Sequence, residues 1–422
     1  MAGQVSEPAA GALARGTSLW HTLAVLAIVT SIPLIQLGAN VYWSFQVFAF
    51  AVLFTLVITR RALAQLPMFA LLMPLMCLSL LPFVSAPLAM HSFLKVGREW
   101  LCLCVLLAAL GGAAVLGANL RYPHALVVKI VAALAAALFA GVLAQYVLLH
   151  RGVLWFVPAD YFVTNAGTIP TPLDLKYSAL RPSGPFGEPS YAGFIATSFL
   201  MVVLYAMRTS LLKLMALTCI VGTVVFCQTF AGMAAVFLVL ATYFITGQHS
   251  RAELRLGMAC AVISLLILTS SGHFYVLGRI AQLTNPAGDV SGYARLVVPS
   301  TMVADILTSY PLGLPTDQIG SVFGQRGLLY SESLQGAVAN GFMNVIINYG
   351  LVGMGTLLLV LRSVRYRLVP SIYLITASMF NGSIFSYDKV AVIGLVFMLI
   401  NYAGRPAPDA VSQAPPFRNL MT

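Results

Sequence analysis

Between Leu180 and Tyr191 the chain reads Leu-Arg-Pro-Ser-Gly-Pro-Phe-Gly-Glu-Pro-Ser-Tyr. An arginine, a glutamate, three prolines and two glycines stand between a polar segment and an apolar run, which predicts a rigid, charged corner where a helix begins. Pro189 has no backbone N–H and suits a first helical turn, so Glu188 falls at the cap position. Arg181 then sits just outside a helix N-terminus. Free N–H groups, the positive end of a helix dipole and a forked guanidinium on one spot are the requirements for holding a phosphate or diphosphate. The alternative is that Arg181 and Glu188 pair with each other and stiffen the loop.

Other polar residues stand out against the apolar chain. Asn340, Asn344 and Asn348 recur every four residues, so a helix would carry all three on one face. Amides at membrane depth either bond a neighbouring helix or line a substrate groove. His91, Lys95, Arg98 and Glu99 open another apolar run; Lys95 and Glu99 are spaced to pair along a helix. Arg98 is either part of that packing cluster or a second phosphate contact. Arg295, in Ser291-Gly-Tyr-Ala-Arg295, and Arg326, in Gly324-Gln-Arg326, belong to a later loop. Arg295 is placed on a short amphipathic segment beside the membrane surface, where snorkelling alone would account for it. Gln228 and Thr229 mark a turn that they are expected to cap. The six cysteines fall in or beside apolar runs, which fits core filling and no metal site or disulfide framework.

The elements that position these residues follow from composition. Of 422 residues, 60% are hydrophobic and 8% charged, with a mean hydropathy of +0.92. No soluble domain of that length hides so much apolar surface, so the chain reads as an all-α, polytopic integral membrane protein. Runs long enough to cross hydrocarbon fall at 20–38, 41–59, 65–85, 93–118, 128–149, 190–207, 211–227, 230–247, 256–272, 338–361, 370–385 and 390–403, about 12 transmembrane helices. Segment 1–19 reads as a cytoplasmic tail carrying Arg15, with no small-residue cleavage site after the first run, and 20–403 as one transmembrane helical domain. Segment 404–422, Pro-rich, reads as a disordered cytoplasmic tail.

Charge placement orients the spans. Arg15, Arg60, Arg61, Arg121, Lys129, Arg208, Lys213, Arg251, Arg255, Arg362, Arg365, Arg367, Arg405 and Arg418 fall on one side, which makes both termini cytoplasmic. The other side carries two large periplasmic loops, 150–189 and 273–337, with Asp160, Asp174, Glu188, Asp289, Asp305, Asp317 and Glu332. The net charge of +11 is spread singly over loops, so topology and anionic lipid ligands account for it and no nucleic acid is implied. His150, Arg151, Trp155 and Tyr161 open the first loop as an interfacial set. The work of the chain is expected in the outer loops.

With those residues in place, the chain resembles the bacterial O-antigen ligase and polymerase superfamily, and more closely its Wzy-type polysaccharide polymerases. The resemblance rests on Arg181-Pro-Ser-Gly184-Pro-Phe-Gly-Glu188-Pro-Ser190 leading into a span, Ser291-Gly-Tyr-Ala-Arg295, Pro311-Leu-Gly313-Leu, Asn340-Gly341-Phe-Met-Asn344 and Asn348-Tyr-Gly350-Leu-Val-Gly353. It implies a membrane glycosyltransferase of the bacterial inner membrane that joins polyprenyl-diphosphate-linked (undecaprenyl-type) repeat units into an exopolysaccharide, capsule or O-antigen, with no cofactor or metal. Arg181 and Arg295 would hold the donor diphosphate, and Glu188 is the first choice as base or acceptor-orienting group. Gly184, Ser190, Asn340, Asn344, Arg98 and Arg326 are the candidate substrate contacts. The lipid bilayer, a chain-length-regulating co-polymerase and a flippase are the implied partners.

Two other functions compete. An O-antigen ligase would transfer glycan to lipid A core. In that branch a histidine lies in the late loop or at the head of the next span, where this chain reads Ala339-Asn340-Gly341 and has no histidine after His273. A flippase or transporter of lipid-linked sugars would place charges in the middle of its spans, and these spans are nearly free of them.

Overall fold

The computed structural model describes residues 8–40, 42–59, 89–119, 124–163, 181–208, 210–246, 250–270, 297–314, 322, 340–364, 367–380 and 383–403. Among these the regular elements are helices: α1 (Pro8–Ser31), α2 (Phe45–Thr59), α3 (Ala89–Asn119), α4 (His124–His150), α5 (Pro189–Ala206), α6 (Leu211–Phe226), α7 (Phe230–Ile245), α8 (Arg251–Ser270), α9 (Val298–Ser309), α10 (Gly341–Ser363), α11 (Leu368–Met379) and α12 (Tyr387–Ala403). Two isolated bridges, Leu37 with Phe162 and Gly38 with Ser44, tie the link after α1 to itself and to the segment after α4. The expected run at 65–85 lies outside the described residues. Segments Ala125–His150, Pro189–Ala206 and Gly341–Ser363 are long and apolar enough to cross a membrane, and Leu19–Leu34, Phe45–Thr59, Leu211–Phe226, Phe230–Ile245 and Leu368–Met379 are shorter apolar helices.

Helix bounds follow local chemistry. α1 starts at Pro8, twelve residues before the apolar run itself, because Ala9, Ala10, Ala12 and Ala14 favour helix strongly. Pro33 then turns the chain into a short 3-10 segment, Ile32–Leu34. α5 begins at Pro189 with Glu188 in the extended cap position, as its sequence predicts. This helix is the centre of the bundle. Every residue from Ser190 to Leu204 is buried, and α4, α6, α7, α11 and α12 pack around it. α12 is also wedged between α2, α3 and α5, so the last helix closes the core made by the first ones.

At the end of the bundle where α5 finishes, burial of charge is solved by pairing. The Lys213 ammonium at the start of α6 lies 2.8 Å from the Glu253 carboxylate at the start of α8 and donates to the Leu204 carbonyl of α5 at 3.0 Å. Tyr243 of α7 donates to the same carboxylate at 3.3 Å. Both charged side chains are almost fully enclosed. A buried pair of this kind is costly to break because either partner left alone is an uncompensated charge.

α10 is interrupted at Gly350, whose φ of 55° and ψ of −134° are not helical. The segment after α9 fills the break. Leu351 N–H donates to Pro311 O at 2.9 Å and Leu314 N–H donates to Ile347 O at 2.8 Å, so groups freed by the interruption regain partners. Gly313 (φ 92°) and Gly350 meet backbone to backbone: a Cβ on Gly350 would lie 2.0 Å from Pro311 O, and one on Gly313 would lie 2.2 Å from Asn348 O. Met302, Ile306, Leu314 and Ile347 form a small apolar cluster that seals α9 onto α10. The two glycines therefore fix how the late loop is anchored to the bundle.

Gly350→Ala and Gly313→Ala should each cost more than about 2 kcal/mol, since an L-residue in the left-handed region already costs roughly 1–2 kcal/mol before any clash. Gly355→Ala, on the same helix with open space at its Cβ, is the control. Thermal unfolding in detergent should drop for the first two and hold for the third; equal melting temperatures in all three would contradict the interlock.

Candidate functional site

The opposite end of the bundle, where α4 finishes and α5 begins, gathers the remaining polar side chains and is called the upper end here. Its corner, 181–188, is held by two glutamines. Gln145, in the last turns of α4, accepts from Ser183 N–H at 3.0 Å and Gly184 N–H at 2.8 Å through Oε1, and its Nε2 donates to Gly184 O at 2.9 Å. Gln36 accepts from Gly187 N–H at 3.1 Å. Gly184 has a φ of 64° and sits so close to α4 that a Cβ would meet Leu138 at 3.0 Å. Gln145 is 4% exposed, so its amide replaces water for three backbone groups at once.

The clamp sets the two charged residues of the corner. Arg181, half-buried, crosses to the turn between α6 and α7 and donates from Nη1 to Gln228 O at 3.4 Å. Gln228 has a φ of 49°, a left-handed conformation rare outside glycine, and that turn aims its carbonyl at the arginine. Thr229 does cap α7, accepting from Gly232 N–H at 3.4 Å. Glu188 occupies the cap position of α5 but makes no side-chain cap bond; its Oε2 accepts from the Ser190 hydroxyl at 2.9 Å. The carboxylate is thus turned towards the first turn of α5 without being consumed by the helix end.

The asparagines divide. Asn340 is the N-cap of α10, its Oδ1 accepting from Phe342 N–H at 3.0 Å and Met343 N–H at 3.2 Å, and so does not share the helix face of the other two. Asn348 donates to Asn344 at 2.6 Å along that face. Next to them Tyr349, just before the break, donates to the carboxylate of Glu99, which is 1% exposed on α3. Arg98 beside it is exposed and close enough to act electrostatically on Tyr349 and Tyr387. Arg295 and Arg326 lie outside the described residues.

Several upper-end residues have no counterpart in the sequence reading. Asp388, in the first turn of α12, accepts from the Tyr191 hydroxyl at 2.5 Å and links the head of α12 to that of α5. Lys389 is 1% exposed and donates to Phe380 O at 2.9 Å. Gln145 was legible as a lone amide in an otherwise apolar helix, and Asp388 as a lone carboxylate opening an apolar run. Gln36 and Gln228 carried no such signal, because what each does depends on a distant segment.

A cavity of about 540 Å³ lies below the corner, between α4, α5 and the segment 155–161. Its walls are apolar, including Leu138 and Gly141 of α4, Phe186 of the corner and Phe199 of α5, with Gln145 at its edge. The upper end therefore combines a guanidinium, two tyrosine-bound carboxylates, the Glu188 carboxylate on Ser190 and an apolar chamber. Charge stabilisation and proton acceptance can both occur there beside a water-poor space.

Gln145→Leu keeps the volume near constant and strips partners from three buried backbone groups, a loss of roughly 1–3 kcal/mol for each group left unsatisfied. Amide hydrogen exchange over 182–187 should accelerate by at least about tenfold while α7 and α11 keep their protection. Unchanged exchange at the corner would contradict the clamp.

No curated protein matches the sequence significantly. The profile of the WcaD colanic acid polymerase family, however, matches residues 18–402 and so takes in α3, the corner, the interlocked late loop and α12 together. By that match the chain belongs to the WcaD colanic acid polymerase family, a group of Wzy-type polysaccharide polymerases.

Proposed function

We propose that this polymerase joins repeat units carried on a polyprenyl diphosphate, and that it does so at the outer face of the bacterial inner membrane. Twelve spans with both termini cytoplasmic turn the upper end outward. Among the exposed aromatic residues, Tyr42 (83%), Trp43 (79%), Trp155 (53%) and Tyr161 (62%) belong to upper-end segments, as an interfacial belt there would require. Among the described residues, Lys129, Arg208, Lys213, Arg251, Arg255, Arg362 and Arg367 belong to segments at the other end, in keeping with the positive-inside rule.

The proposed step is displacement at an anomeric carbon. An acceptor hydroxyl oxygen bonds to that carbon, the bond to the diphosphate breaks, and its electron pair leaves with the diphosphate. Arg181 and Arg295 receive the departing anion, and the N-terminus of α5 adds its dipole. Glu188, oriented by Ser190, takes the hydroxyl proton as it becomes acidic late in the step. Asn344, Ser190, Arg98 and Arg326 are the proposed contacts to substrate. Gly184 and Asn340 shape the walls, since their polar groups are already engaged by Gln145 and by α10. A flippase that delivers the lipid-linked unit and a co-polymerase that sets chain length are the partners this reading calls for.

One observation carries the reading: Arg181 is held half-buried at the head of a buried helix by a clamped corner, its guanidinium directed across to the α6–α7 turn. The matched family is described as a polymerase, which favours polymerisation over ligation or transport.

Purified protein incubated with one lipid-linked repeat unit should give a ladder of products. Arg181→Lys should lower the rate by about two to three decades despite keeping the charge, because a point ammonium cannot reproduce the guanidinium fork. Glu188→Gln should retain donor binding and lose turnover. A full-length ladder from Arg181→Lys would refute the diphosphate assignment, and normal turnover from Glu188→Gln would remove Glu188 from the chemistry.

A further inference from the structure

The cavity below the corner is placed where a long tail would follow a head group held at Arg181. Gly184 and Phe186 line it, three and five residues along the chain from Arg181. Leu134, Leu138 and Gly141 lie one turn apart down α4, so the chamber runs into the depth of the helix instead of along its end. Trp155 and Phe199 of α5 also line it. At about 30 Å³ for each non-hydrogen atom, the share of a molecule in liquid water, 540 Å³ holds on the order of 18 atoms, or about four isoprene units.

Resting on the proposed lipid-linked donor, we infer that this chamber takes the first isoprene units of the carrier, next to its diphosphate. A methyl-branched chain with a fixed bend at each double bond fits a short, wide chamber with aromatic walls better than a straight acyl chain does. The tail enters from hydrocarbon, so the gain is contact with packed walls and orientation of the anomeric carbon over Arg181, without the large desolvation term of an aqueous ligand. Two consequences follow. Donor affinity should depend on tail length only until the chamber is full, and the remaining units should be indifferent.

Gly141 provides a clean test, because it lines the chamber and a Cβ built on it meets nothing within 4 Å. Gly141→Leu therefore fills the space without straining α4 and touches none of the groups assigned to the chemistry. Steady-state kinetics would use donors carrying two, four and eleven isoprene units. In the unaltered protein KM should fall from two units to four and stay level to eleven. Gly141→Leu should raise KM for the four- and eleven-unit donors about tenfold with kcat within about twofold, the pattern of lost uniform binding. A photoreactive group on the first four isoprene units should label 134–141 and 155–158, and the same group on a phospholipid acyl chain should label them far less.

Polymerisation by the unaltered protein with equal KM for all three donors, or with no effect of Gly141→Leu, would overturn the tail site while leaving the polymerase reading intact. Equal labelling by phospholipid would assign the chamber to bulk lipid and overturn it as well. Absence of any ladder from the unaltered protein would instead remove the donor reading, and this inference with it.

Discussion

The upper end depends on a single side-chain amide. Gln145 gives both faces of its carboxamide to the turn at Ser183 and Gly184, and three backbone groups that no water can reach are satisfied by one residue. Bury a Pro- and Gly-rich corner against an apolar helix and its N–H and C=O groups become the dominant cost, because each unpaired group in such a setting is worth more than the packing it interrupts. With the amide in place the corner can be pressed onto α4, Phe186 enters the core, and α5 starts at a defined point. Arg181 then emerges at one position with one direction.

The same economy recurs around it. Tyr191 to Asp388 joins α5 to α12, Tyr349 to Glu99 joins α10 to α3, and Asn340 and Thr229 cap α10 and α7. These bonds are concentrated at one end, while the opposite end relies on the Lys213–Glu253 pair. The middle of the bundle is mainly close-packed apolar side chains, with α5 at the centre and one buried hydroxyl pair, Ser198 and Tyr373, joining it to α11. Polar residues near hydrocarbon are expensive and tend to mark function. Their concentration at the end that also carries Arg181, Glu188 and the chamber is why the site is proposed at that end.

Helices and their starts were legible in the sequence because they are local. The apolar runs set most spans, and Pro189 after Glu188 announced the head of α5 before any contact was known. The Asn340, Asn344 and Asn348 periodicity was legible too, yet it misplaced Asn340: the residue before Gly341 is the last one outside the helix, where asparagine is a strong cap, and the four-residue spacing coincided with that boundary. The break at Gly350 could not be read, since its strain is relieved only by Pro311 and Gly313, more than thirty residues earlier in the chain. Nor could the clamp, where Gln145 and Gly184 are 39 residues apart and Gln36 and Gly187 are 151 apart. Such pairings are decided by the packed bundle, and no local pattern encodes them.

In this account catalysis is a matter of where one guanidinium is held. A structure of the full chain with a short polyprenyl diphosphate bound in lipid would test that most directly. The account predicts diphosphate oxygens within hydrogen-bond distance of the Arg181 guanidinium, above the head of α5, with the corner unchanged around Gln145. A diphosphate seated elsewhere, with Arg181 still donating to the Gln228 carbonyl, would contradict it.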